Sequence, residues 1–242
     1  MKSRSLSGLK ALACASVVLV MQGCASTPAP GSNAAVNDPI EGFNRSMFGF
    51  NEKVDENVLK PVATGYKNVV PSPARTGITN FFNNFEDAWS AVNSLLQLKF
   101  ESAASNTMRV VVNTTLGLGG FLDWGTEMRL QRYNEDLGQT LGYWGVGEGA
   151  YVVWPLLGPS TVRDSVALPV DMAAGPGLVI NSTPVTIGVT ALNVVNTRAN
   201  LLDTTALLDD IVLDKYIFVR DGFLQRRRSQ VYDGNPPDAS KN

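Results

Sequence analysis

Chemistry at a protein site commonly rests on histidine, cysteine or paired carboxylates, and this 242-residue sequence is thin in all three. It has no histidine and two cysteines, Cys14 and Cys24. That excludes Ser-His-Asp and Cys-His nucleophiles, and zinc sites built from His and Cys. The adjacent carboxylates Glu135-Asp136 have no second pair at a recognisable spacing, so they read as a solvated loop and not as an acid–base couple. Gly145-Val146-Gly147-Glu148-Gly149 lacks the G-x-G-x-x-G order of a dinucleotide fingerprint. No Gly-Lys-Ser/Thr follows it to make a phosphate loop. Arg226, Arg227 and Arg228 close the last helical stretch, where they either complement the helix dipole or dock a partner. The residue inventory implies no catalytic group, no cofactor and no metal.

Cys24 carries a different chemistry. Lys2, Arg4 and Lys10 precede or open an apolar run from Leu9 to Met21, and Gly23 sits just before the cysteine. That layout is a lipoprotein signal peptide over residues 1–23, with Cys24 as the acylated first residue of the mature chain. Ala11-Leu12-Ala13-Cys14 has almost no apolar run before it. Each buried methylene of an acyl chain contributes about 0.8 kcal/mol, so several chains anchor firmly. The apolar run itself is too short to span about 30 Å of hydrocarbon. Residues 24–37 are small, polar and Pro-bearing, a flexible tether. With Cys24 acylated, no disulfide is possible. The mature chain keeps 17 basic against 22 acidic residues, a charge of −5. That leaves no nucleic-acid footprint. Only 17% of the sequence is charged, against about 25% in an average soluble domain.

The elements that must position any site read as helices. Asp38-Pro39 starts a helix over residues 39–58, with Ile40, Phe43, Met47, Phe50, Val54 and Val58 as one apolar stripe. Pro61 breaks it and opens a short helix through Tyr66, and Pro71-Ser72-Pro73 is a hinge. Ala74 to Phe85 is amphipathic, and Glu86-Asp87 starts a further helix carrying Trp89, Val92, Leu95 and Leu96. Phe100 to Thr115 continues at helical spacing, and Leu116 to Gly120 ends the run. These stripes read as core-facing. Residues 123–136 form a polar connector.

In residues 137–163, six glycines are interleaved with Tyr143, Trp144, Tyr151 and Trp154, which suits a loop at a membrane boundary or a tight Gly-rich turn. Strand-like alternation is confined to Tyr151–Trp154. Ser160 or Thr161 caps a helix through Ala174, and Met172 to Thr197 has no charged residue, with a helix from Pro184 to Thr197. Asp209-Asp210 opens the last helix, with Tyr216, Val219 and Phe223 inward. The helical domain therefore covers 38–232, followed by a disordered tail over 233–242.

Several stretches together resemble the MlaA (VacJ) lipoproteins of Gram-negative bacteria. They are Asp38 to Arg45 (DPIEGFNR), Pro71 to Arg75, Asn113 to Gly120, Thr140 to Gly149, Gly158 to Asp164, and Thr197 to Asp203, in the family's order. Local departures are Ala150, where the family has Pro, and Tyr143-Trp144, where His-Tyr is common. The resemblance implies an all-α, ring-like single domain with a central amphipathic pore, embedded in one leaflet of the outer membrane. It implies removal of mislocalised phospholipid from the outer leaflet and delivery to a periplasmic shuttle protein, MlaC. It also implies association with a trimeric porin. Ala25 after the lipidated cysteine fits sorting to the outer membrane. From the opening motif, Phe43, Asn44 and Met47 are expected to control lipid access. Tyr143, Trp144, Gly145, Gly147, Tyr151 and Trp154 are expected to line the pore or its lipid access, with Gly145–Gly158 forming a mobile loop at the pore mouth. Arg226, Arg227 and Arg228 are expected to dock the shuttle. The alternative is a structural porin- or cell-wall-associated lipoprotein that moves no lipid.

Overall fold

The computed structural model describes residues 38–209 and 212–237. The signal peptide, Cys24, the tether and residues 238–242 lie outside them. The described residues fall within one unit of the chain, Asn37–Asn242.

Helix α1 (Glu41–Val54) does not stop before Pro61. It passes through a π-helical turn, Asp55–Leu59, directly into α2 (Lys60–Val69). Within that turn the Lys60 N–H reaches the Asp55 carbonyl, five residues back. The wider turn departs from the usual bonding pattern just where Pro61 has no N–H to offer, so the helix continues. Helix α3 (Ser72–Leu96) starts after Pro71 with Pro73 in its first turn, a position where the missing donor costs nothing. It runs unbroken through Glu86-Asp87, so those acids do not open a helix. After α4 (Phe100–Thr115) comes the short α5 (Trp124–Glu127), then α6 (Leu137–Tyr143). Strands β1 (Tyr151–Trp154) and β2 (Gly158–Thr161) form an antiparallel hairpin, pairing Tyr151 with Thr161 and Trp154 with Gly158. Thr161 then caps α7 (Val162–Ala173), its hydroxyl accepting from the Asp164 N–H at 3.2 Å. Helix α8 (Thr183–Asp209) extends well past Thr197, and α9 (Lys215–Val231) is capped by Asp214 and not opened by Asp209-Asp210. The fold is all-α apart from one small hairpin. Helix α3 packs on α4, α2 on α8, and α6 on α7.

The distribution of side chains inverts the expectation from periodicity. Among the described residues, twenty polar or charged residues are buried against eleven hydrophobic ones. Most of the apolar stripe of α1 faces outward: Ile40, Phe43 and Phe50 are exposed, as is Val58 in the turn that follows, while Met47 packs inward. Val92, Leu95 and Leu96 of α3 and Met108 and Val111 of α4 are exposed too. The opposite faces hold the helices together. Asp87, 1% exposed, accepts from Arg109 and Arg132. Arg109, 2% exposed, also donates to Asp123 at 2.8 Å, to Thr126 and to the Leu130 carbonyl. Asn106 donates to Ser90 and to the Tyr133 carbonyl, both at 2.8 Å. Buried charges are tolerated only when paired and hydrogen-bonded, which this network provides. A polar interior with an apolar exterior is the arrangement that an apolar solvent favours, and exposed apolar patches of this extent mark membrane or partner contact.

Candidate functional site

On α3, Phe82, Phe85, Glu86 and Trp89 recur at spacings of three, one and three and line one wall of a cavity of about 410 Å³. Its other walls come from Asp171 and Met172 at the end of α7, from Gly175-Pro176, and from Thr190 and Asn193 of α8. Glu86, Trp89 and Asp171 also line a second cavity of about 460 Å³. There the remaining walls are polar except for Phe223: Ser90, Arg132, Asn134, Glu135, Asp136 and Gln139, with Arg226, Arg227 and Gln230 of α9. The two cavities thus share three walls, with aromatic side chains concentrated on one side and ionic ones on the other. This is the geometry an amphiphile requires, since acyl chains and a headgroup need different surroundings.

Asp171 sits at the join. One of its carboxylate oxygens accepts from the Trp89 indole N–H at 2.8 Å and from the Leu137 backbone N–H at 2.9 Å. Burial pushes its carboxyl above the usual carboxylate range, and those two hydrogen bonds only partly offset this. Asp136 behaves oppositely. Burial acts to raise it, but the Arg227 guanidinium and the Gln139 N–H outweigh that and hold it below the usual range. Seven charged side chains line the polar cavity. Arg132 pairs with Glu86 and Asp87, Glu135 with Lys99, and Arg227 with Asp136 and Asp164. Asp171 and Arg226 make no ion pair among the described residues. The carboxylates Glu135 and Asp136, expected to be solvated, are instead tied into these pairs. Among the described residues no group of three or more His, Cys, Asp or Glu is placed to hold a metal.

A third cavity, of about 320 Å³, lies between the α1–α2 turn and the α8–α9 region, lined by Asp55, Lys60 and Arg198 together with Phe48, Leu201 and Phe218. Arg198 is bonded to Asp55 across it at 2.7 Å and 2.8 Å.

The residues singled out in the sequence are dispersed. Asn44 is fully buried and its amide is consumed by the fold. It donates to Asp38 at 2.7 Å and to the Tyr151 carbonyl at 2.9 Å, and accepts from the Val153 N–H at 2.9 Å. Asn51, two turns later on the same face, repeats the pattern on the Trp154 carbonyl and the Leu156 N–H. These two asparagines staple the hairpin to α1. Tyr151 and Val153 are fully buried with Tyr216, and Met47 packs against that cluster. The stretch 145–158 therefore contains a core strand and is not a mobile loop throughout. Burial pushes the Tyr151 hydroxyl up to about 12. Phe43, Tyr143, Trp144 and Trp154 are exposed. Lys99 stands over the Tyr143 ring at 5.3 Å, Trp144 donates to the Leu96 carbonyl, and Trp154 donates to Ser165. Gly145 has a φ of +92°, and a Cβ on Gly147 would meet nothing.

Arg227 is only 8% exposed and leaves the surface docking set, while Arg226 and Arg228 remain exposed. Arg226 and Arg227 line the polar cavity. Sequence reasoning missed Trp89, Arg132, Asp171 and Asn193. The charge-free run Met172–Thr197 was the one signal pointing toward them.

Comparisons with known proteins fit this geometry. The family model described as MlaA lipoprotein matches residues 36–230. A protein of Escherichia coli (strain K12), named intermembrane phospholipid transport system lipoprotein MlaA, is 40% identical over 224 residues, covering 90% of this chain and 86% of the relative. A protein of the same name from Haemophilus influenzae is 32% identical over 228 residues, covering 89% and 88%. A solved chain described as "Structural basis for maintenance of bacterial outer membrane lipid asymmetry" superposes with a TM-score of 0.70 at 38% identity, covering 82% of this chain and 99% of that one.

Proposed function

The chain belongs to the MlaA lipoprotein family, and from that membership we propose that it maintains outer-membrane lipid asymmetry as part of a phospholipid transport system. It removes mislocalised phospholipid from the outer leaflet and passes it to a periplasmic carrier of the MlaC type. The observation that carries this reading is the pair of cavities sharing Glu86, Trp89 and Asp171, set in a body that is apolar outside and polar inside. A phospholipid crossing such a body keeps its acyl chains against Phe82, Phe85 and Trp89 and its headgroup against the charged walls. No catalytic step is involved. The acylated Cys24 anchors the chain on the periplasmic side. The exposed apolar helices sit in one leaflet as a ring of which the cavities are the pore, and a trimeric porin covers part of the apolar flank. No helix among the described residues is long and apolar enough to cross a membrane. Arg228 faces the carrier, and the exposed Phe43, Tyr143, Trp144 and Trp154 meet lipid directly.

The test is the outer-leaflet phospholipid of a strain lacking this protein, measured with a membrane-impermeant amine label. Labelling should rise on deletion and fall again with the wild-type gene. A gene carrying Thr190→Trp and Asn193→Trp, which fill the apolar cavity, should fail to lower it although the protein is made. Unchanged labelling on deletion would replace this reading with the structural-lipoprotein alternative. Cys24→Ser should displace the protein from the outer membrane more than it damages the fold, read by membrane fractionation alongside protease resistance.

A further inference from the structure

Of the seven charged side chains around the polar cavity, five neutralise one another or a neighbour inside the fold. The two left over have opposite sign. Arg226 projects from α9 with no hydrogen bond or ion pair to another described residue. Asp171 offers one carboxylate oxygen to Trp89 and Leu137 and keeps the other uncommitted. Both line the cavity that adjoins the aromatic one.

We infer that Arg226 and Asp171 form a headgroup-reading subsite that takes a zwitterionic phosphoethanolamine lipid in preference to an anionic phosphoglycerol lipid. The inference rests on the transport reading above and adds a substrate preference to it. The Arg226 guanidinium presents a fork of N–H donors to a phosphodiester, the geometry at which arginine exceeds lysine. Every glycerophospholipid carries that phosphodiester, so Arg226 holds the lipid without discriminating. Asp171 discriminates. A carboxylate confined in a cavity is costly to keep charged, and an ammonium group at its free oxygen offsets that cost. A glycerol headgroup supplies only hydroxyls there and leaves the charge uncompensated.

The experiment uses the full-length acylated lipoprotein, extracted in mild detergent from a Gram-negative host. Co-purified lipids are quantified by mass spectrometry against the host's own membrane composition. Wild-type protein should carry phosphatidylethanolamine over phosphatidylglycerol at about three- to tenfold above the membrane ratio, the range that one modest charge-assisted hydrogen bond supplies. Asp171→Asn keeps a carbonyl acceptor for the Trp89 and Leu137 N–H groups and removes the charge. It should bring the ratio back to that of the membrane with total lipid per protein little changed. Arg226→Gln lies on an exposed position of α9 and does not depend on the Asp171 variant folding. It should lower the total lipid carried while the ratio stays near that of the wild type.

An Asp171→Asn protein with the wild-type ratio overturns the inference, as does an Arg226→Gln protein with unchanged loading. Wild-type protein that restores asymmetry yet carries lipid in the membrane ratio overturns the headgroup preference alone. Wild-type protein that carries no phospholipid and restores nothing overturns the transport reading as well. Soluble glycerophosphoethanolamine, added at the concentration of the extracted lipid, should displace none of it, because the aromatic cavity holds the acyl chains. Displacement would make this a site for free headgroups and overturn the lipid assignment.

Discussion

Asn44→Ala separates two roles that its position in the opening motif leaves open. The amide is fully buried and bonded to both the Tyr151 carbonyl and the Val153 N–H of β1. Alanine orphans both backbone groups in a site that water does not reach. Each such group costs about 1–3 kcal/mol, so the substitution should cost about 2–6 kcal/mol. The Asp38 carboxylate also loses one donor but keeps Tyr216 and Arg220. Against a typical domain stability of about 5–15 kcal/mol, the loss is large. The measurement is urea unfolding of the detergent-solubilised protein followed by far-UV circular dichroism, with the outer-leaflet label measured in parallel. Asn44→Asp should be at least as damaging, because it sets a carboxylate against the Tyr151 carbonyl and the Asp38 carboxylate. Phe43→Ala removes an exposed side chain and should move the midpoint by less than about 0.5 kcal/mol. A change in surface lipid from Phe43→Ala is therefore a direct effect on lipid. An Asn44→Ala protein with an unshifted unfolding midpoint and an altered lipid phenotype would refute the stapling argument and return Asn44 to a gating role.

Arg109→Met removes one half of a buried pair and leaves Asp87 with Arg132 alone, so unfolding should be easier by about 3–5 kcal/mol in the same titration. Gly138→Ala places a Cβ 2.5 Å from an Asp164 carboxylate oxygen and 2.7 Å from an Arg227 nitrogen, and should shift the thermal midpoint downward by prising that pair apart. Asp136 has a folded-state value below its unfolded one, so its contribution is fully present above the unfolded value, near pH 4, and is lost as pH falls through the lower folded value. Asp136→Asn should flatten the loss of stability in that acid window, and an unaltered acid limb would show that the Arg227 pair does not govern it.

Sequence made the local features legible. Thr161 caps α7, Tyr151–Trp154 is a strand, and the Leu116–Gly120 run ends a helix, each set by residues within a few positions of one another. Helical periodicity also located most of the helices. What it could not supply was which face turns inward, because periodicity is the same whether the solvent is water or lipid. Local sequence assigns Asp87 to a helix start because its partners, Arg109 and Arg132, lie 22 and 45 residues away. Arg227 looks like part of a surface cluster with its neighbours for the same reason, since Asp136 and Asp164 are 91 and 63 residues distant. The cavity walls come from α3, α7, α8, α9 and the 132–139 stretch, and no short spacing encodes that meeting.

The π-helical turn at Asp55–Leu59 also governs how this chain tolerates changes in length. One extra residue in a helix rotates everything beyond it by about 100°. Deleting a single residue there would restore an ordinary helical ladder but swing α2 around its axis. Tyr66 would lose its 2.9 Å bond to Asn196, and Lys67 its pair with Asp203 on α8. Pro61 would meanwhile face an unbroken ladder that it cannot join. Substitutions at the exposed Glu56, Asn57 and Val58 can therefore be absorbed one at a time, whereas loss of Asp55 would strip Arg198 of that carboxylate partner, and insertions and deletions break the alignment of α1 on the hairpin with α2 on α8. Among homologues, the segment should keep its length and an acid at 55 while varying at those three positions.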